Sequence, residues 1–232
     1  MQTSPTALKV LNMISILSLA AATYLALFYA PEEAVMGQVQ RVFYFHVSTG
    51  WVGMLGFLAA AVSGIAYLIT KDQKWDIVEA SAVEISLVFF LTTIVLGSIW
   101  ARPIWNSWWT WDPRLTTAAI TALIYIAYFM LRGSIENIEL RARLAAVYTV
   151  IGSVSVPITF LVTRLLRTIH PVIIAGGNPD ATGTFAMTPG MLVTFLFCLG
   201  AFTIIFVDLF WNRIRMGSLA VKIEQMKLNL LH

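Results

Sequence analysis

Cysteine is almost absent: Cys198 is the only one in 232 residues. That excludes a disulfide framework, a Cys-x-x-Cys zinc site and covalent haem attachment through Cys-x-x-Cys-His. Charge is scarce as well. Asp, Glu, Lys and Arg together make up 12% of the chain, about half the usual share. A water-soluble chain of this size cannot cover its surface with so few charges, and disorder is excluded by the apolar content. The net charge of +3 is spread thinly with no basic block, so the pI of 9.1 does not signal a nucleic-acid surface. No Gly-x-x-x-x-Gly-Lys-Ser/Thr loop occurs, which excludes P-loop ATP hydrolysis by this chain. The alternating ten-residue segments of a membrane β-barrel are missing too, and no internal repeat argues for an inverted-repeat transporter.

What is present is apolar sequence, 59% by composition with a mean hydropathy of +0.80. A bilayer core of roughly 30 Å needs about 20 apolar residues in a helix. Six segments meet that length: Val10–Ala30, Val47–Thr70, Ala80–Trp100, Leu115–Leu131, Leu144–Leu165 and Gly190–Trp211. The expected fold is all-α, one polytopic membrane domain over 1–232 with six transmembrane helices. The first span lacks a small-residue cleavage site and reads as retained. With the N-terminus placed in the cytoplasm, the inner segments hold Lys9, Lys71, Lys74, Arg132, Arg141, Arg143, Arg213, Arg215, Lys222 and Lys227. The outer ones hold Arg41, Arg102, Arg114, Arg164 and Arg167. This asymmetry puts both termini inside. The tail from Met216 to His232 reads as a short amphipathic helix on the inner surface.

This topology gathers the unusual residues on the outer side. Trp100, Trp105, Trp108, Trp109 and Trp111 crowd one segment, with the tryptophan-rich loop proper at 101–115. An interfacial aromatic belt accounts for one or two of them. Five suggest a platform for a large planar apolar ligand. If the stretch is helical, Trp105, Trp108, Trp109 and Asp112 share one face. Asp112 before Pro113, ahead of an apolar run, also reads as a helix N-cap.

His46 lies at the outer mouth of the second span, and His170 lies in the outer loop 166–189 after the fifth. Singly, each reads as an ordinary hydrogen-bonded polar residue. Together, at similar depth beside the tryptophans, they suit a haem iron held from both faces. Zinc is disfavoured because no Cys or carboxylate stands at ligand spacing. Guanidinium pairs well with carboxylates, so Arg102 and Arg114, which bracket the platform, are the candidates for haem propionates. Structural roles are expected elsewhere: Pro157 as a kink in the fifth span, Glu84 and Asp208 as paired groups near inner helix ends, and Gly176 to Pro179 as a turn.

The stretch Trp105-Asn-Ser-Trp-Trp-Thr-Trp-Asp-Pro-Arg-Leu-Thr116 resembles the WWD signature of haem-handling proteins of cytochrome c maturation. Six spans and one histidine on each side of that signature resemble the CcmC branch. The resemblance implies binding of haem b on the outer face of the inner membrane, with His46 and His170 as axial ligands. Trp105, Trp108, Trp109, Trp111 and Asp112 would then form the segment facing haem and the haem chaperone CcmE. It further implies an assembly with the ABC proteins CcmA and CcmB and with CcmD, and haem delivery rather than enzymatic turnover. One departure is visible: Asn106 stands where the family pattern has Gly, which bears on how closely the backbone approaches haem. Two other readings of the residues stay open at this point. One is a b-type membrane cytochrome in electron transfer; the other is a permease that the tryptophans merely anchor.

Overall fold

The computed structural model describes residues 5–171 and 187–231. Helices dominate it, and no strand occurs among the described residues. They are α1 (Thr6–Tyr24, continued by a π-helical turn Leu25–Tyr29), α2 (Arg41–Thr70), α3 (Gln73–Trp105), α4 (Pro113–Ser134), α5 (Ile138–Gly152), α6 (Ser155–Leu165) and α7 (Pro189–Leu231). Six helical segments are long and apolar enough to cross a membrane, α5 and α6 counting as one. All six expected spans are therefore present. The position of the turn expected at Gly176 to Pro179 lies outside the described residues, as does most of the loop 166–189.

Helix starts follow local chemistry. Asp72, Asp112 and Asn137 precede α3, α4 and α5, and each side chain accepts an amide of the first turn at 2.8–2.9 Å. Pro157 acts as expected. It removes the amide that would bond the Ser153 carbonyl, and that oxygen instead takes Val156 N at 3.1 Å in a tight turn separating α5 from α6. Ser155 Oγ donates to the neighbouring Gly152 carbonyl at 2.7 Å, so the break leaves little unsatisfied backbone.

The core is built on α2 packed along α3. Gly56 makes the approach possible, because a Cβ there would fall 1.9 Å from Ser86 Oγ. Phe57 stacks on Tyr125 of α4 with centroids 3.5 Å apart, and Ala60, Val83, Phe90 and Tyr128 complete the cluster. Ile69, Val88, Leu123 and Ile151 point outward and are more than half exposed, as lipid-facing residues of a bundle are.

Two side-chain ion pairs lie toward the other end of the bundle from the tryptophans. Glu84 pairs with Arg213 at 2.7 Å and Asp208 accepts from the Asn212 amide at 3.0 Å, but both stand well inside α3 and α7 rather than near helix ends, because those helices run on past the expected spans. The Asp76–Arg132 ion pair and Glu79, which is fully buried and accepts from Thr149 Oγ1 at 2.9 Å, are additions to the sequence reading. Two boundaries depart from expectation. α2 begins at Arg41, so His46 lies inside the helix rather than at its mouth. The tail is no separate helix: α7 runs unbroken to Leu231.

Candidate functional site

The start of α2, the end of α3, the start of α4 and the segment after α6 meet at one end of the bundle. His46, in the second turn of α2, and His170, five residues beyond α6, bring their rings to 6.5 Å centroid to centroid, inclined at 44°. His46 Nδ1 lies 3.0 Å from the Thr93 carbonyl of α3. A carbonyl can only accept, so Nδ1 carries a proton, and in the neutral imidazole this leaves the lone pair on Nε2. His170 Nδ1 lies 3.1 Å from the Pro171 carbonyl and is fixed in the same tautomer. Two imidazoles are thus arranged with both Nε2 atoms available to a metal, the state in which histidine ligates.

The His46 ring rests on the turn of α3 between Thr93 and Gly97. A Cβ on Gly97 would lie 2.8 Å from His46 Cε1, so only glycine leaves room for the ring. Thr93 Oγ1 also bonds Thr49 Oγ1 at 2.7 Å, and Trp100 packs against His46 at 5.8 Å. Trp100 is buried, and its indole N–H has no partner among the described residues. Burial, then the nearby Arg114 guanidinium and His46, push the His170 imidazole down to about 3, so it is neutral near pH 7.

The tryptophan segment is not a helix. α3 ends at Trp105 because Asn106 turns left-handed (φ 52°), and regular structure resumes only at Pro113. The shared face that a continuous helix would give Trp105, Trp108, Trp109 and Asp112 therefore does not form. The irregular path instead sorts the indoles into two sets. Trp105 and Trp109 line the cavity beside the histidines, whereas Trp108 and Trp111 are 59% and 77% exposed. Trp109 and Trp111 meet edge to face at 5.9 Å. Asn106 can adopt this path because Asn is among the non-glycine side chains best tolerated in the left-handed region.

The arginines separate as well. Arg114 lines the cavity and donates to the Thr159 carbonyl. Arg102 is exposed, donates to the Asn106 side chain and is not part of the lining. Asp112 caps α4 as expected, and its carboxylate additionally holds Thr168 Oγ1 (2.8 and 2.9 Å) and Ile169 N (2.9 Å). Thr93, Gly97 and Thr168 were not singled out as site residues from sequence. The only trace they leave there is small or hydroxyl side chains interrupting apolar runs.

The cavity among His46, His170, Trp100, Trp105, Trp109 and Arg114 amounts to about 630 Å³ counted to its open mouth. Its chemistry is two neutral nitrogen donors, indole walls and one guanidinium, with no cluster of three His, Cys or carboxylate groups among the described residues. That donor set suits a metalloporphyrin and not a bare metal ion.

A family model described as CcmC, heme exporter protein C, matches residues 1–229. The chain belongs to the CcmC family. A heme exporter protein C from Bradyrhizobium diazoefficiens is 26% identical over 202 residues, covering 86% of this chain and 74% of the relative. A ccmC-like mitochondrial protein of cytochrome c biosynthesis from Marchantia polymorpha is 32% identical over 151 residues, 65% of this chain and 64% of that protein. The heme exporter protein C of Escherichia coli K12 is 28% identical over 142 residues, covering 61% and 58%. The matches to the liverwort and E. coli relatives thus span less than two thirds of those proteins' length.

Proposed function

We propose that this CcmC-family chain is a haem-handling component of cytochrome c maturation. It binds haem b between His46 and His170 on the outer, periplasmic face of the inner membrane, with both termini cytoplasmic. The reading is carried by one observation: the two imidazoles stand 6.5 Å apart with both Nδ1 atoms tied to carbonyls. Metal–imidazole bonds of about 2.0–2.1 Å place the centroids of two rings sharing one metal roughly 6.3 Å apart, close to the separation here.

In this reading Trp105 and Trp109 contact the porphyrin, and Trp108 and Trp111 are left outward for a docking chaperone, CcmE. Arg114 is the better-placed guanidinium for a propionate, with Arg102 at the rim, and the unpartnered Trp100 N–H offers a further donor to a carboxylate. The chain delivers its cargo rather than transforming it. Any ATP-driven step belongs to partner subunits, CcmA with CcmB, in an assembly that includes CcmD.

The test is the visible spectrum of the purified protein from haem-replete cells. The wild type should show a Soret band with a six-coordinate low-spin signature, and His46→Ala and His170→Ala should each lose that signature. Trp108→Ala should retain haem yet transfer it to CcmE more slowly. A colourless wild type would overturn the reading in favour of a permease. Reversible, quinol-dependent reduction would favour an electron-transfer cytochrome.

A further inference from the structure

Asp112 does more than an N-cap requires. Capping α4 uses one oxygen and one amide, Arg114 N at 2.9 Å. The carboxylate also takes two donors from a segment 56 and 57 residues further along the chain, the Thr168 hydroxyl and the Ile169 amide. Thr168 is 2% exposed, so its hydroxyl has no recourse to water. The hydroxyl gives its one proton to Asp112 and accepts the His170 amide at 3.0 Å. The amides of Ile169 and His170, which no helix satisfies, both terminate in this network. Among the described residues no Lys, Arg or His nitrogen forms an ion pair with Asp112; these three neutral donors bond its oxygens, and the Arg114 guanidinium acts on it only through space.

The geometry points to Asp112 as a positioning residue that acts through Thr168 to fasten the His170 segment to the N-terminus of α4, holding that imidazole opposite His46. The inference rests on the reading of the two histidines as haem ligands. It gives Asp112 a role that needs no contact with haem or chaperone, unlike the tryptophans beside it. Charge-assisted bonds to a carboxylate are stronger than neutral ones, which suits a segment with no regular structure of its own. The same carboxylate joins the tryptophan segment, which ends at Asp112, to the second ligand. Displacement of one is thereby transmitted to the other.

The experiment compares Asp112→Ala, Thr168→Val and Thr168→Ser with His170→Ala in the full-length, detergent-purified protein, using haemin as the probe. Asp112→Ala and Thr168→Val should convert the low-spin spectrum to a mainly high-spin one, as His170→Ala does. Millimolar imidazole should restore the low-spin form in all three, because the His46 side is intact. Thr168→Ser should recover the low-spin form lost in Thr168→Val. A low-spin spectrum unchanged in Asp112→Ala and Thr168→Val overturns the inference. So does loss of haem that imidazole rescues in His170→Ala but not in Asp112→Ala, which would mark a purely structural defect.

A second measurement needs no haem. In the haem-free protein, amide hydrogen exchange at Ile169 and His170 should be at least about tenfold faster in Asp112→Ala, with α4 beyond its first turn unchanged. Equal exchange in variant and wild type overturns the clamp on its own. If the wild type shows no low-spin haem spectrum while exchange accelerates as expected, the ligand reading fails and the fastening stands.

Discussion

A methyl group at position 97 would arrive 2.8 Å from His46 Cε1 and 3.1 Å from Nδ1, while the ring is held on the same turn by its bond to the Thr93 carbonyl. The ring cannot move aside and keep that bond. Overpacking of this kind costs about 1–3 kcal/mol, yet Ala for Gly within a helix returns about 1 kcal/mol of propensity. Gly97→Ala should therefore leave the melting temperature nearly unchanged while haem affinity falls by about tenfold or more. Haemin titration beside a thermal melt separates the two effects, and an unaltered affinity would count against His46 as a ligand. His170 makes a complementary prediction. Unfolded, its imidazole titrates near 6.5; folded, burial beside Arg114 holds it down to about 3. Between those values the unfolded chain binds the extra proton. The stabilising contribution is complete above about 6.5 and is lost as pH falls toward 3. The haem-free protein should melt at progressively lower temperature from pH 7 to pH 4, and the drop should be smaller in His170→Ala.

The segment between α3 and α4 owes its shape to Asn106. At φ 52° a β-branched residue is strained by roughly 1–3 kcal/mol, whereas glycine is not. Asn106→Gly should keep stability and haem spectrum, and Asn106→Val should lower both the melting temperature and haem retention. Equal behaviour of the two variants would show that the left-handed turn does not set the path of the tryptophans. This turn also marks where reading the sequence stopped. Apolar runs long enough to cross a bilayer are visible without knowing their neighbours, and so are the Pro157 break and the Asp112 cap, because each depends on chemistry within a few residues. An Asn in a left-handed conformation is written the same way as an Asn in a continuing helix, so the sequence alone does not say whether Trp105 and Asp112 share a helical face. The partners of the histidines were hidden for a different reason. Thr93 lies 47 residues from His46, and Thr168 lies 56 from Asp112, so their roles exist only once α2 packs on α3 and the segment after α6 folds back on α4. The start of α2 was placed late because apolar count located the span at Val47, while the helix itself starts six residues earlier, at Arg41.

The two candidate ligands come from distant parts of the chain, and their meeting depends on the bundle between them rather than on the chain's extremities. α7 shows where that dependence ends. A helix of 43 residues measures about 65 Å, twice a hydrocarbon core of roughly 30 Å. Its contacts with the bundle continue past the Glu84–Arg213 ion pair to Gly217, where a Cβ would lie 2.8 Å from Ile77 Cγ2. Beyond that point the side chains turn to solvent: Ile223, Met226 and Leu230 are 49%, 57% and 87% exposed. Among the described residues, no side-chain hydrogen bond or ion pair joins this projecting stretch to the histidines or to α2 and α3; those it makes stay within α7. Removing residues 219–232 should therefore leave membrane insertion, haem stoichiometry and the low-spin spectrum as in the full chain. Arg213→Ala should instead lower thermal stability by about 1 kcal/mol or less, the worth of a half-exposed ion pair, with the spectrum intact. Spectra and melts of the two variants, recorded together, check this division. A truncated protein that fails to hold haem would mean that the far end of α7 braces the bundle through contacts absent here, and that the site is not self-sufficient within the six spans.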